Sequence, residues 1–358
     1  MKRPASPMVL RENVPLAPFT TLGVGGPARF FVEAEDEVQV GNALEFASLR
    51  NLPVFVLGGG SNLVVADSGF QGMVVRIALR GIRQETAGRI VAAAGEDWDS
   101  LVRLCVDHEL AGIECLSGIP GTVGGTPVQN VGAYGQEVSE VIASVRVLER
   151  KTPKTLDLDN AACGFSYRTS LFNGSERDRY VVLAVAFQLH PGAGPRIAYP
   201  ELQRRFEGRT VRPTLADVRA AVLRIREGKS MVLRTGDPDS KSTGSFFKNP
   251  IVSESDARFA EEAAMSRAPS KESSNMPCYP MGDGRVKLSA AWLIEHAGFS
   301  RGYCRGQAGL SSKHALAIIN RGGATAGEIL ALMAEIQAAV DGLFHVKLVP
   351  EPVFVGFA

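Results

Sequence analysis

Through the first 190 residues, apolar positions come in short, strand-like runs rich in β-branched side chains and broken by glycine turns. Arg29–Glu33 reads as a strand, and Val38, Ala43, Leu44 and Ala47 follow at helical spacing. Pro53–Leu57 returns as an apolar strand, making a small unit that ends near residue 80. In a second unit Val91–Ala94 is strand-like. Trp98, Leu101, Val102 and Cys105 mark one face of a helix, closed by Gly112. A glycine-rich loop spans 118–135, and Val141–Leu148 and Tyr180–Leu189 read as strands. This is an α+β pattern with many hairpins, not a regular βαβ array.

The pattern changes beyond residue 195. Thr214 and Asp217 predict a capping box ahead of a stripe of Val218, Val222 and Ile225. Residues 251–276 read as a polar, serine-rich excursion. Ser289 opens a short helix through Ala291, Trp292 and Ile294, closed by Gly298. A longer one carries Ile329, Leu332, Met333, Ile336 and Val340, with Gly342 at its C-terminal end. The final stretch, Phe344–Val355, reads as a strand interrupted by Pro350-Glu351-Pro352.

At 358 residues the length predicts two to three domains, and 39 basic against 38 acidic side chains leave no global field to hold a nucleic acid. Eight basic residues from Arg204 to Lys229 are preceded by Glu201 and interrupted by Glu207, Asp217 and Glu227, and read mostly as a solvated helix face. The five cysteines are scattered with no C-x-x-C pair, which argues against a zinc site or disulfide framework. Only Met8-Val9-Leu10 follows the basic Met1-Lys2-Arg3 as an apolar stretch, so neither a signal peptide nor a membrane span is expected. The expectation is a cytoplasmic protein.

Leu57–Val65 sets Gly58, Gly59, Gly60, Ser61, Asn62 and Leu63 between two apolar runs. Without Cβ atoms the backbone N–H groups can approach a phosphate, although a tight hairpin would use the same residues. The third position of a Rossmann fingerprint is Leu63 here, and no Lys-Ser/Thr pair makes a Walker loop. A second loop holds Gly118, Pro120, Gly121, Gly124, Gly125, Gln129, Asn130, Gly132, Ala133 and Tyr134, with six glycines in the 18 residues 118–135. That many glycines raise the entropy cost of folding, which is tolerable where backbone must lie flat on a ligand; an Ω-loop filled by its own atoms is the alternative. Two such loops in one half favour a long dinucleotide such as FAD.

Arg168, in Tyr167-Arg168, could hold a carboxylate in a fork, or form a surface ion pair. Ser245, in Gly244-Ser245-Phe246-Phe247-Lys248-Asn249-Pro250, has no relay of the Ser-His-Asp kind, so it is a poor nucleophile but still a proton donor to a strong carbanion; the alternative is a turn serine. Glu351 lies between two prolines that restrict its direction, or is a solvated edge residue. Arg226 and Lys229, three apart, can share a face and hold a diphosphate.

These segments, taken with Asn13–Phe30, Lys287–Glu295 and their order along the chain, resemble the UDP-N-acetylenolpyruvoylglucosamine reductase family over nearly all of residues 13–357. The resemblance implies an α+β chain: a two-lobed FAD-binding domain of the vanillyl-alcohol-oxidase (PCMH) type, lobes 1–80 and 81–195, and a C-terminal α+β substrate-binding domain over 205–342. A final strand, 343–358, would return to the active site. It implies non-covalent FAD reduced by NADPH, small-molecule substrates only, no metal and a monomer. Hydride would pass from flavin N5 to C3 of the enolpyruvyl group and a proton from Ser245 to C2, with Arg168 and Glu351 stabilising the enol form of the carboxylate. Tyr199, Arg226, Lys229, Asn249, Lys287 and His314 would contact the diphosphate or sugar. A sugar or alcohol oxidase and a non-catalytic UDP-sugar sensor are the other readings. The first lacks a flavin-linking His or Cys in either glycine loop, and the second predicts loss of Ser245 or Arg168.

Overall fold

The computed structural model describes residues 7–152, 154–267 and 276–357. The strands and helices in chain order begin β1 (Leu10–Pro15), β2 (Pro27–Ala34), α1 (Glu37–Leu49), β3 (Val54–Leu57), β4 (Leu63–Val65) and β5 (Phe70–Ile77). Then come β6 (Ile82–Thr86), β7 (Arg89–Ala93), α2 (Trp98–Asp107), β8 (Ile142–Glu149), β9 (Thr155–Asp159), β10 (Tyr180–Gln188), α3 (Pro200–Phe206) and α4 (Leu215–Gly228). The chain divides into two compact units. Unit 1 comprises the described residues up to Val14 with Ala28–Gly60 and Phe70–Val232; unit 2 comprises Pro15–Pro27, Ser61–Gly69 and the described residues from Leu233 onward.

Unit 1 holds two larger sheets, besides the two-stranded pairings of Gly132–Ala133 with Gln136–Glu137 and of Leu110–Ala111 with His190–Pro191. The first has the order β1-β2-β5-β3, with β5 central and parallel to both β2 and β3. A parallel centre needs apolar cover, and Val40, Ala43, Leu44 and Ala47 of α1 share a buried core with Val32 and Val75. The second sheet, β9-β8-β10-β7-β6, is antiparallel throughout, as runs joined by short turns lead one to expect. The α2 face of Trp98, Leu101, Val102 and Cys105 is buried as its spacing predicts. The helix stops earlier than Gly112, at Asp107, because Glu109 takes the left-handed conformation (φ 54°) and its N–H returns to the Val106 carbonyl at 3.1 Å.

The boundaries of these units differ from the lobes expected. Residues 205–232 belong with unit 1, where Leu202 of α3 and Val218, Ala221, Val222 and Ile225 of α4 bury Cys115 in a small core of their own. The Thr214–Asp217 capping box is present, with reciprocal bonds of 3.0 and 3.1 Å. Conversely, residues 15–27 and 61–69, expected in the first lobe, belong to unit 2.

Unit 2 continues with β11 (Ile251–Ser253), α5 (Glu254–Arg267), β12 (Cys278–Pro280), β13 (Arg285–Leu288), α6 (Ala290–His296), β14 (Cys304–Arg305), β15 (Ala308–Leu310), β16 (Ile318–Asn320), α7 (Ala326–Phe344) and β17 (Val353–Val355). Three-stranded antiparallel sheets β11-β13-β12 and β14-β15-β16 accompany the parallel pair of β4 and β17. The supposed polar excursion holds α5, whose buried face is made of Ala257, Ala260 and Ala264; residues 268–275 of that stretch lie outside the described residues. Ser289 caps α6, accepting from the Trp292 N–H at 3.3 Å. Helix α7 runs through Gly342 to Phe344, because fully buried Phe344 extends the stripe of Ile329, Leu332, Ile336 and Val340 by one more turn. His345 (φ 53°) ends it, and the expected strand Phe344–Val355 shrinks to the three residues of β17.

Candidate active site

The first glycine turn leaves β3 and, at Gly59, meets the second loop. A Cβ on Gly59 would stand 2.7 Å from Gly121 Cα, so only a hydrogen fits; one on Gly58 would stand 2.9 Å from Thr122 Oγ1. Pro120 and Gly121 precede a 3-10 turn of Val123, Gly124 and Gly125, and the Trp98 N–H donates to the Gly121 carbonyl at 3.1 Å. At the loop's entrance the Gly118 N–H donates to Asp99 Oδ1 at 2.6 Å. Asp99 in turn receives both arms of Arg219, at 2.6 and 2.8 Å. Burial pushes the Asp99 carboxyl up, but the Arg219 fork, the Gly118 N–H and the Arg219 charge outweigh it and leave it below the ordinary carboxylate range.

The loop closes as a tight hairpin. Gly132 and Ala133 pair antiparallel with Glu137 and Gln136, and the two turn residues between them, Tyr134 (φ 49°) and Gly135 (φ 84°), are both left-handed, as a mirror-type two-residue turn requires. For tyrosine that conformation costs about 1–2 kcal/mol. Its ring meets Tyr199 edge-on, with centroids 5.5 Å apart, and burial pushes its hydroxyl up to about 12 although it hydrogen-bonds Arg226. Arg226 is deeply buried, donates from Nη2 to the Met231 carbonyl at 2.8 Å, and has no partner for Nε among the described residues. Lys229, the residue capping α4, is ion-paired to Glu201 at 2.7 Å. Tyr199, Arg226, Lys229 and Tyr134 thus gather in unit 1.

Asn130 (φ 43°) is buried and ties the loop to the chain around it: Nδ2 donates to Glu137 Oε2 and the Ser166 carbonyl, and Oδ1 accepts from the Ser139 N–H. All three partners lie outside residues 118–135. Gln129, half-buried, stands next to it. Arg168, also left-handed at φ 55°, lays its guanidinium near the Tyr167 ring and donates from Nη2 to the Gly132 carbonyl at 2.7 Å.

Unit 2 holds Ser61, Asn62 and Leu63, the last opening β4, together with Ser245, Asn249, Lys287, His314 and Glu351. Ser245 follows Gly244 (φ 75°) and precedes two buried rings, Phe246 and Phe247. The segment pairs with the proline-flanked one: Phe247 bridges Pro350, the Lys248 N–H donates to Val349, and the Glu351 N–H donates to the Phe246 carbonyl, both at 2.9 Å. Two stretches far apart in sequence therefore lie side by side, Ser245 on one and Glu351 on the other. Asn249 Oδ1 accepts from the Ala290 N–H at the start of α6, and Lys287 is paired with Ile251 across β13 and β11, its Nζ 5.8 Å from the Tyr279 ring centre. His314 lies in the turn before β16, where its carbonyl accepts from the Ala317 N–H.

Three participants escape the sequence reading. Asp99 and Arg219, which tether Gly118, stand 120 positions apart with no local pattern joining them. Thr243, two residues before Ser245, buries a hydroxyl with no hydrogen-bond partner among the described residues; it stands just ahead of the Gly-Ser motif, and no pattern in the sequence singles it out. Among the described residues no group of His, Cys, Asp and Glu could hold a metal ion, and no helix is long and apolar enough to cross a membrane.

The family model for the C-terminal domain of UDP-N-acetylenolpyruvoylglucosamine reductase matches residues 237–355, and the FAD binding domain model matches 28–158. A relative from Thermobifida fusca named UDP-N-acetylenolpyruvoylglucosamine reductase is 49% identical, the match covering 96% of this chain and 98% of that one. Another of the same name from Saccharopolyspora erythraea is 48% identical over 96% and 95% of the two chains. The solved UDP-N-acetylenolpyruvylglucosamine reductase of Thermus caldophilus matches with a TM-score of 0.66 at 26% identity, over 97% of this chain and 99% of that one. With both halves matched in order and nearly half of all positions shared with full-length relatives, the chain belongs to the UDP-N-acetylenolpyruvoylglucosamine reductase family.

Proposed function

We propose that the chain catalyses the NADPH- and FAD-dependent reduction of UDP-N-acetyl-3-O-(1-carboxyvinyl)glucosamine to UDP-N-acetylmuramate, in peptidoglycan precursor synthesis. Full-length relatives at 46% to 49% identity that carry the reductase name support it. The residues present suit FAD. The two glycine loops touch at Gly59 and Gly121, and a Cβ on Gly125 would meet nothing within 4 Å, which leaves backbone open to a flat ligand.

Bound FAD, reduced by NADPH, supplies the hydride. Ser245 holds its hydroxyl proton for C2 of the enolpyruvyl group, and the carbon centre formed there is basic enough for a weak acid held close to it. Arg168 brings a fixed cation to the rising charge on the carboxylate, and Glu351 stabilises its enol form. Tyr199, Arg226, Lys229, Asn249, Lys287 and His314 contact the diphosphate and sugar. The setting is the cytoplasm, a reduced compartment in which the five cysteines stay free, and the chain acts as a monomer.

The observation that carries the chemical reading is the bond from the Glu351 N–H to the Phe246 carbonyl, 2.9 Å, which keeps the neighbour of Ser245 beside Glu351. Ser245→Ala is expected to stay yellow and to be reduced by NADPH at the wild-type rate in the absence of oxygen, while turnover of the enolpyruvyl substrate falls about 10²- to 10⁴-fold. Unchanged turnover removes Ser245 as the donor, and a colourless wild-type protein removes the flavin.

A further inference from the structure

We propose that Asn62 is a positioning residue for Glu351, fixing the carboxylate through the backbone rather than serving mainly as a flavin contact. The inference rests on the reading of Glu351 as a catalytic residue. Three bonds define the arrangement. Asn62 Nδ2 donates to the Glu351 carbonyl at 3.1 Å, the Val353 N–H donates to the Asn62 carbonyl at 2.9 Å, and the Glu351 N–H donates to the Phe246 carbonyl at 2.9 Å. From Val353 onward the chain pairs in parallel with β4, Val353 opposite Leu63, Phe354 opposite Val64 and Val355 opposite Val65.

Continued one step towards the N-terminus, a parallel ladder would pair the Glu351 carbonyl with the backbone N–H of Asn62. The side-chain amide donates to that carbonyl instead. Neither Pro350 nor Pro352 carries an N–H, so neither neighbour of Glu351 can add a backbone donor to hold the segment. Glu351 is consequently gripped by its own N–H on the Phe246 side and by its carbonyl on the Asn62 side. Its Cα sits between two fixed proline rings, and rotation of the segment has to break one of those two bonds. Losing the amide frees the carbonyl end, and a displacement of about 1 Å at a reacting group can cost about 10²-fold in rate.

The test compares Asn62→Ala and Asn62→Asp, the second keeping the size while replacing the donor with an acceptor. Each is placed alone and with Glu351→Gln. Flavin content is read from the visible spectrum of the purified protein, and the NADPH-reduction and substrate-reduction half-reactions are timed separately. Expected for both single variants are a wild-type flavin content, an unaltered NADPH half-reaction, and substrate reduction slowed about 10- to 100-fold with KM for NADPH unchanged. On the Glu351→Gln background neither should slow the reaction further. Loss of flavin, a slowed NADPH half-reaction, wild-type turnover, or losses that multiply with Glu351→Gln would each overturn the proposal. If Asn62→Ala does not fold, Asn62→Asp decides by the same outcomes, and failure of both to fold gives Asn62 a structural role and overturns it too. Full activity of Glu351→Gln alone would instead remove the reading on which the inference rests.

Discussion

At Gly59 the space for a side chain is smaller than a methyl group. The nearest atom to an added Cβ is the Cα of Gly121, backbone of the facing loop, which cannot swing aside as a side-chain tip could. Gly59→Ala should therefore push the two loops apart, destabilising unit 1 by about 1–3 kcal/mol. The visible result should be a lower flavin-to-protein absorbance ratio after purification, restored incompletely by added FAD; a fully flavinated Gly59→Ala protein would show that the loops need not touch. Gly41 on α1, whose added Cβ meets nothing within 4 Å, is the matched control for crowding. At this scale much was readable from sequence. Clustered glycines announce close backbone approach, and Gly-Ser-Phe-Phe with Pro-Glu-Pro are short enough to recognise. The link between Asn62 and Glu351 was not, since nothing local in either segment tells which distant carbonyl an amide will find.

Among the elements, α2 and α4 are joined by a pair that also tethers the second glycine loop. Asp99 lies in the first turn of α2 and Arg219 in α4, and the Gly118 N–H shares the carboxylate. Because the Asp99 pKa in the folded chain lies below its ordinary 3.8, the pair's contribution is complete at pH values above that figure. It is lost as the pH falls through the lowered folded value. Asp99→Asn should cost about 1–2 kcal/mol at pH 7, allowing for the partial exposure of Asp99. The deficit should shrink as urea titrations move from pH 5 towards pH 3, with FAD held in fixed excess throughout. A deficit independent of pH would assign the loss to packing. A helix signal with local chemistry, the capping box at Thr214, is legible because its partner stands three residues on; the box at Thr325 has the same spacing but was not read from the sequence. The buried face of α5 is not, because Ala257, Ala260 and Ala264 bury too little apolar surface to stand out from the acidic residues around them.

The division of the whole chain shows most clearly what a linear reading misses. Lobes drawn as consecutive stretches put residues 15–27 and 61–69 with the first sheet, yet they complete unit 2. Strand β17 has β4 as its parallel partner. Asp67 receives the N–H groups of Ala326 and Gly327 at the start of α7, at 2.8 and 3.0 Å. Asn320 donates to the carbonyls of Leu22 and Gly23 while its own oxygen accepts from Gly322, Gly323 and Ala324. Leu22, Val24 and Val64 are buried in the same core as Phe246 and Ile329. A fragment of residues 233–358 would expose that apolar surface, leave β17 unpaired and remove the second cap of α7. Such a fragment is expected to be largely unfolded or aggregated, with circular dichroism short of the helix content of α5, α6 and α7 and no cooperative urea transition. Co-expression with residues 7–232 should restore it, since the missing strand and loop return with that piece. A 233–358 fragment that folds cooperatively alone would mean that the two N-terminal segments decorate unit 2 without building it, and that the boundary belongs where consecutive lobes would place it.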